Sequence, residues 1–574
     1  MRSMIVPLTR RYWNVMLIKR QQLAGNWSLP DRWSIIAFLI AGLALLPIAI
    51  ILRMLVQPAP DVWQHLWATR LAEFLSNTVV LLIGVGLGTT LLGTALAWLV
   101  TAYRFPGQRL FDWALMLPMA VPSYVLAFVF MATFDYAGPV QKALRAWFGS
   151  SAWFPSIRSG GGAIFVMTLT LYPYVYLLAR AAFHEHGRGT FEVARTLGVT
   201  RLQAFLRVVL PMARPSLVAG LSLVLMEVLT DVGTVRFLNF PTLSDGIFRI
   251  WHGMMDRDAA LQSAAVLLLF AFGALLIERY TRGRARYVQE GSRGHGLAQV
   301  PLTGWRALAA TLVCSFVLAT AFLLPVSQLI QWSVHELWHR MPEGLLAIYW
   351  RHVRATLILA GAGAVISVLA AVLLAYGTHL SRSPVTRLAA RGATLGYAIP
   401  GAVIGLGVLL PLSWLDHTLN DVTYQWWGVL PGLIFTGSIT GLIYAYVVRF
   451  MAVAHSSVEA SLEKISPGIE AAARTLGARP IRVLWHVHLP LIRAGMLTGA
   501  ALVFVDVMKE LPITLLLRPF GYETLALWIW QNVAESLWSE AALPALTIVV
   551  ADLLVVGILI RSATLRGRHS IERT

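Results

Sequence analysis

Two pairs of acidic residues stand inside apolar stretches, where a charge needs a physical reason. Glu227 and Asp231 are four residues apart, and Asp506 and Glu510 repeat that spacing. Residues four apart share a helix face, so each pair turns two carboxylates to one side. A charged side chain at membrane depth costs about 3 kcal/mol on insertion scales, and it normally faces a cavity or a partner. If the two faces meet, up to four acids surround one point and attract a hard cation through oxygen ligands. The expectation is a passing contact at Glu227 and Asp506, with no stable metal site. The structural alternative has Lys509 pairing with a neighbouring acid, while Asp231 and Glu510 cap helix ends beside Gly233 and Pro512.

A second constellation lies in two loops. FEVARTLGVTRLQAFLRVVLP at 191–211 matches EAAARTLGARPIRVLWHVHLP at 470–490, setting Gly198 on Gly477 and Pro211 on Pro490. Each copy reads as a helix, a glycine break, a second helix and a proline at the entry to the next apolar run. Leu197, Leu202, Phe205, Val208 and Val209 make the first copy amphipathic, as Ile481, Leu484, Trp485 and Val487 do the second. Arg195, Arg201 and Arg207, with Arg474, Arg479 and Arg482, add positive charge. One such helix alone would suit a lipid surface. Two copies with the same glycine-to-proline spacing favour paired docking elements.

Catalytic chemistry finds no support. A phosphate-binding loop needs Gly-Lys-Ser/Thr, yet none of the four lysines, Lys19, Lys142, Lys464 and Lys509, follows a glycine. Gly84, Gly86 and Gly88 lie within one apolar run and read as close helix packing. His184 and His186 flank Glu185, and His486 and His488 stand two apart in the second loop. Alternate positions on a helix face different ways, so these histidines read as solvated or docking residues rather than ligands. Cys314, the single cysteine, sits in an apolar stretch as a core thiol.

The elements that must hold these residues are membrane helices. Of 574 residues, 57% are hydrophobic and 13% charged, about half the charge of a soluble domain. The net charge of +18 is spread over short loops rather than gathered on one face, which argues against nucleic acid. Twelve runs reach the roughly 20 residues a span needs. Six lie near 34–56, 76–102, 111–134, 162–183, 212–234 and 258–278. Six more lie near 305–330, 354–379, 392–415, 428–452, 493–516 and 540–561. With the basic amino-terminal segment 1–33 inside, inner segments hold 33 Lys and Arg and outer ones 12. By the positive-inside rule both termini are then cytoplasmic, with lipid around the spans. A shift of 278 sets Thr78 on Thr356 and Pro122 on Pro400, so the six-span units repeat in parallel. The expected division is a first domain at 34–290 with a loop at 185–211, a linker at 291–304, and a second domain at 305–574 with a loop at 463–490.

At the two loops the sequence resembles the permease subunits of bacterial ATP-binding-cassette importers, whose signature reads Glu-Ala-Ala, three residues, Gly, nine residues, Ile, one residue, Leu-Pro. The resemblance implies an all-α polytopic fold of the type I importer class, fused as two parallel six-helix repeats in the inner membrane. It implies ATPase-coupling roles for Glu192, Ala194, Arg195, Gly198 and Pro211, and for Glu470, Ala472, Ala473, Arg474, Gly477 and Pro490. The second copy departs from the pattern, with Ala471 at the glutamate position and Glu470 one residue early. Segments 231–251 and 506–526 resemble the fused permeases of ferric-iron importers. That implies a periplasmic binding protein delivering ferric ion and a dimer of ATPase subunits carrying ATP and magnesium, with no cofactor on this chain and no enzymatic activity of its own. Thiamine and other small-solute permeases share the fused layout. An ion-coupled secondary transporter using Glu227 and Asp506 is the reading from a different class, and paired docking loops argue against it.

Overall fold

The computed structural model describes residues 32–56, 60–151, 153–196, 198–282, 299–339, 345–381 and 383–571. Within them twelve helices are long and apolar enough to cross a membrane. The first six are Trp33–Val56, Leu71–Ala102, Ser123–Phe148, Gly160–His184, Arg201–Thr230 and Arg257–Thr281. The second six are Gly304–Trp338, Leu346–Leu380, Gly401–Trp427, Ile439–Leu462, Pro480–Met508 and Trp538–Ile558. Leu39, Leu91, Phe316 and Leu369 are exposed on these helices, which suits hydrocarbon, since helices satisfy their own backbone groups there. Among the described residues the fold is all-α apart from one two-residue parallel pairing of Tyr103–Arg104 with Val300–Pro301.

The spans do not pack as two separate sixes. Ala37, Ala41, Ala44 and Ile48 of the first span are buried with Ala371, Ala375, Ala402 and Leu406 of the second half. Ala307, Ala310 and Cys314 of the seventh span are buried with Val100, Phe111 and Leu115 of the first half. Small residues allow this crossing. A Cβ on Gly407 would fall 2.5 Å from the Pro47 carbonyl oxygen, and one on Gly377 would fall 3.0 Å from that of Trp33. The boundaries 34–290 and 305–574 divide the sequence repeat, whereas each core borrows its partner's first span. Thr311 Oγ1 also donates to the Pro106 carbonyl at 3.0 Å, tying the start of the seventh span to the first half.

Most expected spans differ in their limits, and five of them differ for a reason visible in the structure. The third run breaks at a 3-10 turn, Leu117–Ala120, and its helix starts after Pro122. The ninth breaks likewise at Thr394–Ala398 and restarts after Pro400. Proline forbids the preceding residue the helical region, so both crossings are built in two pieces. The fifth and eleventh helices stop at Thr230 and Met508, and short helices Gly233–Phe237 and Pro512–Leu517 follow. The tenth begins at Ile439 rather than near 428. Asp416 prevents an earlier start by accepting the N–H groups of Ile434, Phe435 and Thr436 at 2.9, 2.9 and 2.7 Å, holding an apolar segment as a loop.

Candidate translocation site and paired loops

The repeat places matching devices on both halves. Thr78 Oγ1 accepts the N–H of Leu243 at 2.9 Å, and its counterpart Thr356 Oγ1 accepts that of Leu525 at 2.9 Å. Each threonine thereby seats the start of a helix, Leu243–Arg249 or Leu525–Ala534, against the second or eighth span. In the first half the seated helix also reaches the break in the fifth span, where the Ser244 hydroxyl donates to the Asp231 carbonyl at 2.8 Å.

All four expected acids line one cavity of about 90 Å³. Its wall combines Tyr174 of the fourth span and Glu227 of the fifth with Phe450 of the tenth and Asp506 of the eleventh, so it lies where the halves meet. A water site needs roughly 10–15 Å³ on this measure, so the space admits an ion with a few waters.

The four carboxylates do not form a uniform ring. Asp506 Oδ1 pairs with Lys509 Nζ at 2.9 Å. Glu510 Oε1 receives Arg449 Nη1 at 3.2 Å and the Ile513 N–H at 3.1 Å. Asp231 is held by neutral donors, the Ser123 hydroxyl, the Thr234 hydroxyl at 2.9 Å and the Thr234 N–H at 2.7 Å. Asp231 and Glu510 thus accept the N–H three residues on, at the starts of matching short helices. Glu227 has no hydrogen bond or ion pair among the described residues, and its carboxylate lines the cavity.

One substitution explains why the two capping acids differ. Gly401 aligns with Ser123 at the 278-residue offset. A Cβ on Gly401 would fall 2.1 Å from Arg449 Nη1 and 2.7 Å from Glu510 Oε1. The missing side chain therefore makes room for a guanidinium where the first half uses a hydroxyl.

Arg449 was not singled out from the sequence, although it falls within the expected span 428–452. In the structure it is buried in mid-span beside Glu510. Asp552, buried in the twelfth span within electrostatic reach of Lys509, was also missed. A lone aspartate in an apolar run was the available signal.

The two loops are less alike than their sequences. In the first, one helix runs from Gly160 to Thr196 without a break between span and loop. The side chains of Glu192, Ala194 and Arg195, and all of Leu197, lie outside the described residues. In the second, the span ends at Leu462, and a separate helix Pro467–Thr475 carries Glu470, Ala472, Ala473 and Arg474, with Ser466 as its cap. Gly198 and Gly477 have φ of +83° and +80° with nothing within 4 Å of an added Cβ. They are glycine for backbone reasons, not for space.

The second helix of each copy continues into the next span through a π-turn, Phe205–Val209 or Leu484–His488. Pro211 and Pro490 fall just beyond, each the second residue of its span helix. A proline lacks the N–H of a regular helix, and the widened turn accommodates the gap. The expected proline boundary is thus a bulge within one helix. His486 is exposed, as read from the sequence, whereas His488 is buried.

Comparison with known proteins agrees with this architecture. The chain is 27% identical over 527 residues to the Fe(3+)-transport system permease protein FbpB 2 of Haemophilus influenzae, covering 91% of this chain and 96% of that protein. It is 22% identical over 492 residues to the Ferric transport system permease protein FbpB of Actinobacillus pleuropneumoniae, covering 82% and 68%. The Sulfate transport system permease protein CysT of Salmonella typhimurium is 35% identical over 146 residues, 25% of this chain and 51% of that protein. The family model described as binding-protein-dependent transport system inner membrane component matches twice, at residues 89–335 and 363–566. With both matches together covering well over half the sequence, the chain belongs to that family, as a multi-pass inner-membrane permease with two permease repeats fused in one polypeptide.

Proposed function

We propose that this permease carries ferric iron into the cytoplasm, driven by ATP hydrolysis on a separate pair of identical ATPase subunits. A binding protein hands the ion to the side opposite the paired loops, which face the cytoplasm together with both termini. The loops around Gly198 and Gly477 receive the ATPases, and movement there shifts the fifth and eleventh spans, to which each loop is joined by a continuous helix. ATP with its magnesium stays on the partner.

The observation that carries the cargo assignment is the Glu227 carboxyl group, which lines the cavity at the junction of the halves with no hydrogen bond or ion pair among the described residues. Four carboxyl groups beside Lys509 and Arg449 give the site an excess of oxygen acceptors, which favours a cation over an oxyanion such as sulfate. The near full-length similarity to a protein named for Fe(3+) supports the same choice.

Reconstitution of the chain in vesicles with its ATPase and binding protein tests this reading. Uptake of radioactive ferric iron that requires ATP is the expected result. Uptake driven by a proton gradient alone would overturn the ATP-driven mechanism, and uptake of thiamine or molybdate in place of iron would overturn the cargo.

A further inference from the structure

Three side chains from separate elements converge where the second loop meets the spans. His379 lies in the last turn of the eighth span, Glu470 on the loop helix Pro467–Thr475, and His488 at the end of the π-turn before the eleventh span. Each offers one ligand atom, and these atoms lie within 4.8 Å of one another. His379 Nε2 is 2.9 Å from Glu470 Oε2. The other oxygen, Glu470 Oε1, accepts from Arg474 Nη2 at 2.5 Å, which fixes the orientation of the carboxylate.

His488 supplies an independent observation. The residue is 1% exposed, and its Nδ1 is buried with no hydrogen-bond partner. A buried, unsatisfied ring nitrogen is destabilising and asks for a ligand. The fold does not require histidine there. The first half has Val209 at the aligned position, also buried, while Thr101 and Phe191 align with His379 and Glu470. None of those three residues is an imidazole or a carboxylate, so the cluster is particular to the second half.

We propose that His379, Glu470 and His488 bind a divalent transition-metal ion of the zinc, cobalt or ferrous kind. Two imidazoles and one carboxylate suit these borderline ions better than magnesium or calcium, which take oxygen ligands. Three protein ligands leave a coordination position open, and His379 is exposed, so the ion enters from solvent. Arg474 orients Glu470 from outside the ligand set, the arrangement expected around a metal-bound carboxylate. The nearby guanidinium opposes the ion's charge and sets a moderate affinity. A bound ion ties the loop helix to the eighth and eleventh spans at once, stiffening the element through which that half is coupled. The site is independent of the cargo assigned above.

Titration of the purified, tag-free, chelator-treated chain with Co2+ tests the proposal, read by the visible absorption of the bound ion. Expected are saturation at one equivalent, displacement by Zn2+, and a higher unfolding midpoint with Zn2+. His488→Val and His379→Thr install the first half's own residues, and the double variant should keep its fold and lose both effects. Absence of saturable binding in the unmodified chain overturns the proposal, as does undiminished binding in the folded double variant.

Discussion

Arg449→Thr isolates the ion pair that distinguishes the second half. The Arg449 and Glu510 side chains are 6% and 5% exposed, and the pair is 3.2 Å apart. Threonine is the first half's residue at the aligned position, Thr170. The substitution leaves Glu510 buried with the Ile513 N–H as its one remaining hydrogen bond. Breaking a buried pair by removing one partner costs about 3–5 kcal/mol, which is two to three and a half decades in the folding equilibrium. Gly401→Ser alone should also destabilise, because its Cβ would lie 2.1 Å from Arg449 Nη1. The two together rebuild the device used at Ser123 and Asp231, with a hydroxyl donating to the carboxylate in the space the guanidinium vacates. A hydrogen bond to a charged group returns about 1.5–3 kcal/mol. The double variant should therefore be more stable than Arg449→Thr, and the coupling between the sites should be favourable by that amount. Denaturant unfolding in detergent, followed by tryptophan fluorescence, measures the cycle. Additive losses would refute the claim that Gly401 exists to admit Arg449, and an undamaged Arg449→Thr would refute the importance of the pair.

Gly198→Ala and Gly477→Ala should each cost about 1–2 kcal/mol locally through left-handed backbone strain, with no clash; ATP hydrolysed per ion transported should rise in both, and unchanged stoichiometry would remove the loops from the coupling path. Glu227→Gln should lower iron uptake more than Asp506→Asn does, because Lys509 already neutralises Asp506 at 2.9 Å; equal losses in vesicle uptake would contradict this. Glu523 lies between the eleventh and twelfth spans, where burial raises its carboxyl pKa but hydrogen bonds from His352, Gln531 and Arg518 outweigh that and hold it below the ordinary glutamate range. Its stabilising contribution is then present above the unfolded value of about 4.3 and lost as pH falls through the lower folded value, so Glu523→Gln should flatten the acid limb of unfolding midpoint against pH.

Periodicity and hydropathy sufficed for what lipid alone decides. Twelve spans, two parallel units and the acid pairs were legible because each depends on short runs of residues. What escaped depends on contacts between distant segments. Nothing local at Ala37 or Ala41 announces that the first span packs on the second half, since small residues mark a close helix contact without naming the partner. The apolar run 428–438 matches a span in composition, and Asp416 and Asn420, a dozen or more residues earlier, hold it as a loop. Pro122 and Pro400 were visible as interruptions, yet whether a proline kinks a helix or ends it depends on neighbours. The second loop's histidines illustrate the same limit. Spacing alone separated His486 from His488, and the partner that gathers His488 with Glu470 is His379, over ninety residues away.

The halves share one plan but divide the electrostatic work unequally. Both end the fifth helix of their unit with an acid that accepts an N–H three residues on, so the break itself is a property of the repeat. The first half satisfies that acid with hydroxyls and a backbone N–H, and it leaves Glu227 lining the cavity without an ion pair among the described residues. The second half satisfies its acid with Arg449 and adds Lys509 beside Asp506. A fused chain permits this, because the two copies can diverge without losing their pairing. The crossed first spans keep the halves interlocked while they do. The acid without an ion pair therefore comes from the first half, and the second half supplies the positive charge that lets four carboxyl groups share one cavity within the membrane helices.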